Sequence, residues 1–196
     1  MTVKLNPQKI EGKWKSGIAL DFHTTSSTPI GNNQFGHMQF ETLRPEIAEL
    51  LFQLKYRNSQ TSGPKIIEAA SGFLKSHRTK FDLMIPIPPS ATRAVQPVIV
   101  LANGIGSAIG LPVADCITKT RPTNELKGVT DLAARKLLLE GLYSVDSIQT
   151  KGKRILLFDD LYRSGATMNA ITDMLFAQGE VASVSVLTIT KTRSNQ

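Results

Sequence analysis

Ile155-Leu-Leu-Phe-Asp159-Asp160-Leu-Tyr-Arg163-Ser164-Gly165-Ala166-Thr167 runs from four consecutive apolar residues through paired carboxylates into a turn of small hydroxyl residues and the start of a helix. A continuous apolar run bounded in this way reads as a buried parallel strand, and in open α/β sheets ligands bind beyond the carboxyl ends of such strands. Asp159 and Asp160 fall at that end, where they can accept hydrogen bonds from a vicinal diol or hold a hard cation. Arg163 to Thr167 open the next helix, whose free N–H groups and positive dipole end favour a phosphate. Gly165 lets the backbone approach closely, and Ser164 and Thr167 add hydroxyl donors. Diol and phosphate positions lie about one helical turn apart, as in a ribose 5-phosphate. Strand ends and helix caps elsewhere also use Asp, Ser and Thr. Specificity here comes from spacing, residue type and flanking periodicity agreeing at once.

Outward from this run the chain alternates strand, loop and helix. Asp82-Leu-Met-Ile-Pro86-Ile-Pro88-Pro89 reads as a buried strand ending in a rigid proline-rich loop, followed by a helix near Val95–Ile109 with Gly110 as its C-cap. Pro112–Ile117 reads as a short strand, Thr118–Thr130 as a polar, basic loop, and Asp131 as the cap of a helix through Leu139. Tyr143–Val145, Arg154–Phe158 and Ala182–Thr190 are further strands, with a helix over Ala166–Gln178. The alternation predicts an α/β fold, a mostly parallel sheet flanked by helices.

The first forty residues look β-rich. Trp14–His23 and Gly36–Glu41 flank a Ser/Thr/Pro/Gly/Asn segment at 24–34 and predict a hairpin with a long tip. Trp14, Phe22, Phe35 and Phe40 read as a small apolar cluster in that hairpin, and as the nearest thing to a hood over a ligand. Thr42 is placed to cap a helix from Arg44 to about Tyr56, with Ile47, Leu50, Leu51 and Leu54 as its apolar stripe. A second helix runs from Pro64 to about Ser76. Residues 1–43 therefore read as an N-terminal β-rich hairpin region and 44–196 as the α/β domain.

Composition bounds the classes of function. The 196 residues are 41% hydrophobic and 20% charged, ordinary for a globular domain. Cys116 is the single cysteine, so neither an intrachain disulfide nor a multi-cysteine zinc site can form, which fits a reducing cytosol. No apolar run approaches the ~20 residues that span a bilayer, and the first residues lack a signal-peptide core, so a cytoplasmic protein without membrane insertion is expected. His23, His37 and His77 show no metal-binding spacing and read as surface or hairpin residues. A net charge of +7 and a pI near 9.6 attract polyanions, whether a small phosphorylated ligand or nucleic acid. The basic residues are scattered in mild clusters, as on a solvated surface, and no helix carries a dense recognition stripe.

The segment 155–167 resembles the 5-phosphoribosyl-1-pyrophosphate (PRPP) signature of type I phosphoribosyltransferases: four apolar residues, two acidic ones, a short spacer, then Ser/Thr-Gly-x-Thr. The resemblance narrows to the ComF-like, competence-associated branch through Pro86-Ile-Pro-Pro89, Arg121-Pro-Thr-Asn-Glu-Leu, Arg135 ahead of Leu139-Glu-Gly141, Asp159-Asp-Leu-Tyr162 and the upstream Leu51-Phe-Gln-Leu-Lys-Tyr56. It implies a type I phosphoribosyltransferase-like sheet, transfer of ribose 5-phosphate with release of pyrophosphate, and an acceptor that the N-terminal region does not encode readably. Asp159 and Asp160 would hold the ribose hydroxyls, and Arg163, Ser164, Gly165, Ala166 and Thr167 the 5-phosphate. Pro89, Ser90, Ala91, Thr92 and Arg93 would form the pyrophosphate loop, where only Ser90 onward can donate a backbone N–H. Lys119, Arg121 and Lys127 in a closing loop, with Arg135 on the next helix, would neutralise the departing pyrophosphate; solvated loop charges, or an Arg135–Asp131 pair, are the plainer readings.

The implied cofactor is Mg²⁺, held mainly by ligand oxygens and by Asp159 and Asp160. Homodimers are common in the family. Arg163 stands where purine-salvage enzymes carry an acid that assists proton removal, and arginine cannot be that base. Family members with several N-terminal cysteines bind zinc, a module a chain with Cys116 alone lacks. The competing expectation is a non-catalytic PRPP sensor whose basic surface binds DNA or a DNA-uptake partner.

Overall fold

The structure, a computed structural model, describes residues 3–77, 80–89, 96–121 and 131–193. In chain order the elements are β1 (Gln8–Lys9), β2 (Ser16–Phe22), β3 (Ser26–Asn32), β4 (Met38–Leu43), α1 (Glu46–Tyr56), α2 (Ser62–Ser76), β5 (Leu83–Pro86) and α3 (Pro97–Ile109). There follow β6 (Ile117–Lys119), α4 (Leu132–Leu139), β7 (Tyr143–Val145), α5 (Ser147–Thr150), β8 (Arg154–Tyr162), α6 (Ala166–Ala177) and β9 (Ser183–Lys191).

Five strands form the central sheet in the order β1-β2-β9-β8-β5. β2, β9, β8 and β5 are parallel, and the two-residue edge strand β1 is antiparallel. The apolar run of β8 divides between the two faces, as a side-chain period of two requires. Ile155 and Leu157 join Met168, Ile171 and Leu175 of α6 in one core. Leu156 and Phe158 join Ile47 and Leu51 of α1, Ile66 of α2, and Leu101 and Ile105 of α3 in the other. Each such side chain contributes about 1.5–3 kcal/mol on burial, and packing on both faces fixes the register of the strand that carries the acids. The expected mostly parallel sheet with helices on both sides is therefore present.

The N-terminal region differs from its sequence reading in one respect that matters. Trp14–His23 does not pair with Gly36–Glu41. β2 instead enters the central sheet beside β9, with Ile18 opposite Leu187 and Asp21 opposite Thr190. Ala19 and Leu20 are fully buried on opposite faces, and a strand covered on both sides suits a sheet interior better than a hairpin. The hairpin forms from β3 and β4, with a register shift between Pro29 and Gly31. Its tip closes where Asn33 Oδ1 accepts the N–H groups of Phe35 and His37. The polar composition of Ser26–Asn32 hides a strand because every residue in it is exposed.

Smaller differences have local causes. α1 begins after Pro45, with no side-chain cap from Thr42. The strand expected over Pro112–Ile117 reduces to one parallel bridge between Met84 and Val113, and β6 and β7 form an antiparallel pair outside the central sheet. Gly110 ends α3 at φ 69, and Asp131 Oδ1 accepts the Ala134 N–H at 2.7 Å, both as the sequence leads one to expect. The four aromatics do not cluster. Trp14 is buried in the α6-side core, Phe22 lies beside Lys191 and Arg193, and Phe35 and Phe40 are exposed on the hairpin.

Candidate functional site

β8 runs four residues past Phe158, pairing with β9 as far as Tyr162 opposite Lys191, so the acids lie inside the strand's last turn of pleat. Continuing the alternation, Asp159 belongs to the α6 face and Asp160 to the α1 face. Asp159 Oδ1 accepts the Asp160 N–H at 2.8 Å. The Asp159 carboxyl is pushed up to about 8, first by burial and then by the negative charge of Asp160; the Asp160 N–H, Lys55 and the Leu161 N–H pull the other way. Asp160 meets Lys55 of α1, whose Nζ lies 2.8 Å from its Oδ1. On the far side, the Asp160 carbonyl accepts the Thr190 hydroxyl at 3.3 Å, and His23 Nδ1 lies 3.1 Å from that hydroxyl.

His23 and Lys55 are the neighbours that sequence reasoning missed. His23 is half-buried at the end of β2, contrary to its surface reading, because β2 lies in the sheet. Burial, then the charges of Lys55, Arg44 and Arg163, lower its pKa, with Asp160 opposing them. Lys55 left a readable signal: it follows Leu51 by one turn on the buried stripe of α1.

The turn after the acids has the form of an anion site. Gly165 adopts φ 74, ψ −1 at the N-cap of α6, where the first-turn N–H groups of the helix are free of intrahelical partners. The Ser164 hydroxyl oxygen lies 3.5 Å from the Ala166 nitrogen. Arg163 and Ser164 are exposed, while Ala166 and Thr167 are half-buried. Tyr162 backs this turn: its hydroxyl reaches the Glu11 carbonyl at 3.3 Å, and its ring stands edge-on to Trp14 at a centroid distance of 6.3 Å. A Cβ built on Gly165 would lie 2.6 Å from the Tyr162 hydroxyl oxygen, so the tyrosine demands glycine there as firmly as the backbone angle does.

Two of the other expected groups come together. Lys119, half-buried in β6, donates from Nζ to the Pro89 carbonyl at 2.8 Å, and burial lowers its pKa. Arg121 is engaged elsewhere, donating from Nη2 to the carbonyls of Leu138 and Glu140 at the end of α4, where a cation complements the helix dipole. Ser90, Ala91, Thr92, Arg93 and Lys127 lie outside the described residues, and of Arg135 the structure describes its place on α4. Among the described residues no group of three or more acidic, His or Cys side chains could hold a metal ion. The acid pair fits Mg²⁺ brought in on a phosphorylated ligand, because that ion takes one or two carboxylates and fills its remaining positions from phosphates and water.

A parallel sheet with this turn at the end of β8 defines the type I phosphoribosyltransferase fold. Its likeness to the glutamine PRPP amidotransferase of B. subtilis, solved with ADP and GMP, has a TM-score of 0.52 at 18% identity and covers 80% of this chain and 34% of that one. In sequence the chain is similar to the competence protein ComFC of Bacillus subtilis (strain 168), with 27% identity over 153 residues. That match takes in 76% of this chain and 61% of the relative, so the chain spans less than two thirds of the length of ComFC. No family model matches the chain. Among the described residues no helix is long and apolar enough to cross a membrane.

Proposed function

We propose that the protein is a PRPP-binding phosphoribosyltransferase that transfers ribose 5-phosphate to a nucleophilic acceptor and releases pyrophosphate. The observation that carries this reading is the junction of β8 and α6, where an acid pair precedes, by three residues, a glycine-shaped turn at a helix N-terminus. Asp159 and Asp160 hold the ribose hydroxyls. Arg163, the hydroxyls of Ser164 and Thr167, and the N–H groups of Gly165 to Thr167 hold the 5-phosphate. Pro89 to Arg93 take the pyrophosphate, with Lys119 bracing the Pro89 carbonyl, and Lys127 and Arg135 add positive charge as it departs.

Little covalent chemistry falls to the protein in such a transfer. It fixes the sugar at both ends, excludes water from an oxocarbenium-like centre and balances the leaving charge. Mg²⁺ bound with PRPP supplies charge that offsets the pyrophosphate, and Asp159 and Asp160 are its protein-side ligands in this reading. The hairpin of β3 and β4 serves as the hood on the acceptor side, and the protein works in the cytoplasm as a homodimer.

Replacing both acids, Asp159→Asn with Asp160→Asn, is expected to weaken PRPP binding at least about 100-fold by calorimetry with the fold retained; unchanged affinity would refute the assignment. Incubation with PRPP, Mg²⁺ and a panel of bases, following pyrophosphate release, identifies the acceptor.

The likeness to a competence protein favours a second reading, a PRPP sensor that binds DNA through its basic surface. The two separate in one measurement. A steep fall of duplex-DNA affinity with salt, and no PRPP turnover, supports the sensor; PRPP turnover with an identified acceptor supports the enzyme.

A further inference from the structure

The proposed transfer makes no use of Lys55. It sits eight residues after Ile47 and four after Leu51 on α1, continuing the stripe that those two bury against β8 and β9. A lysine in such a place is costly unless an anion meets it. Asp160 does, through Oδ1 at 2.8 Å, and the two side chains are only 14% and 13% exposed. An ion pair so well covered differs from the surface pairs of this chain, such as Lys9–Glu11, whose side chains are 80% exposed.

The pair also has a fixed direction. Asp160 points to the α1 face because of its place in the pleat, and its main chain is tied to β9 through the Thr190 hydroxyl. A carboxylate offers about four acceptor positions, so contact through Oδ1 leaves Oδ2 able to accept a ligand hydroxyl. Around the pair stand His23 from the end of β2, and Arg44 ahead of α1 and Arg163 after β8, both close enough for their charges to be felt at His23.

We infer that Lys55 is a positioning residue of the sugar site, holding the Asp160 carboxylate from α1 so that its second oxygen is presented to a ligand hydroxyl. The inference rests on the sugar-phosphate reading of Asp159 to Thr167. Lys55 touches no substrate atom; it acts through Asp160.

The test uses the full chain and two probes, ribose 5-phosphate by calorimetry and inorganic phosphate by NMR titration. The first probe needs the diol end and the phosphate end, while the second needs the turn at Gly165 alone. Lys55→Met is expected to weaken ribose 5-phosphate about tenfold or more while changing inorganic phosphate by less than about twofold, because truncating one partner of a buried pair acts on the groups it orders. Lys55→Arg should recover ribose 5-phosphate to within about threefold of wild type, since a guanidinium can meet the same carboxylate. In an Asp160→Asn background the Lys55→Met change should shrink below about twofold, the non-additivity of two groups acting as one.

Lys55→Met binding ribose 5-phosphate like wild type, or losing both probes equally, would overturn the inference. If Lys55→Met does not fold, Lys55→Arg and Lys55→Gln decide it: Arg must bind ribose 5-phosphate and Gln must lose it, and equal behaviour of the two counts against Lys55. A wild type that binds neither ribose 5-phosphate nor PRPP defeats the sugar-phosphate reading itself. A wild type that binds both, with Lys55→Met indifferent, defeats only the role of Lys55.

Discussion

The end of β8 and the hairpin of β3 and β4 are both strand segments, but they are held in opposite ways. Ile155 to Phe158 are at most 2% exposed and meet a core on each face, so slipping by one residue would exchange every side chain between two packed layers. In the hairpin, Ile30, Met38 and Phe40 are each more than half exposed, and its shape rests on cross-strand hydrogen bonds and the Asn33 tip. Packing over-determines where Asp159 and Asp160 point. Local chemistry alone determines the hairpin, which leaves its apolar side chains free to meet something else.

The largest break in this contrast is expected at Phe158, which is fully buried against α1, α2 and α3. Phe158→Ala should cost about 3–5 kcal/mol in urea unfolding, against no more than about 0.5 kcal/mol for Phe40→Ala. Similar losses at the two positions would mean that the hairpin is packed as tightly as the sheet.

Next in size is a pH dependence belonging to the acid-bearing end of β8. The Asp159 carboxyl titrates at about 8 in the folded chain against an ordinary 3.8, so the unfolded chain releases its proton first as pH rises. Its contribution to stability is complete below about pH 4 and is lost as pH climbs through about 8. Asp159→Asn should therefore show a flatter stability profile than wild type across that window, with the gap in favour of the variant widest above pH 8. Parallel profiles in thermal unfolding at matched ionic strength would show that the Asp159 carboxyl is not raised in the folded chain.

The smallest effect compares two glycines with nearly equal backbone angles, Gly165 at φ 74 and Gly36 at φ 77. Alanine at either position meets the left-handed penalty, about 1 kcal/mol or somewhat more. Gly36 has nothing within 4 Å of the added carbon, whereas Gly165 has the Tyr162 ring. The excess loss in Gly165→Ala over Gly36→Ala, measured by urea midpoints, is the steric share, and equal losses would remove it.

How much of this was legible in the sequence follows the same division. Ile155–Thr167 could be read because one short segment carries the apolar run, the acids and the turn, and no distant partner is needed to recognise them. Gly110 and Asp131 were legible for the same reason, as local caps. The partner of β2 was not, because Ile18-Ala-Leu20 fits a hairpin strand as well as a sheet interior until β9, over 160 residues later, covers it. Lys55 reaches Asp160, and His23 reaches the Thr190 hydroxyl beside it, only through tertiary packing, and Arg121 finds helix carbonyls that exist only once α4 is folded. Long-range geometry was the part withheld.

Tyr162 gives the turn between β8 and α6 a leash. Its hydroxyl is tied to the main chain of Glu11, 151 residues earlier, and its ring leans on Trp14, while its bulk leaves space at position 165 for a hydrogen and nothing larger. Any side chain at 165 would therefore need a smaller partner at 162, and that smaller partner would untie the turn from the N-terminal segment. Changing both would relieve that contact but not the left-handed backbone at 165, and the chain would have to find another way to anchor the turn.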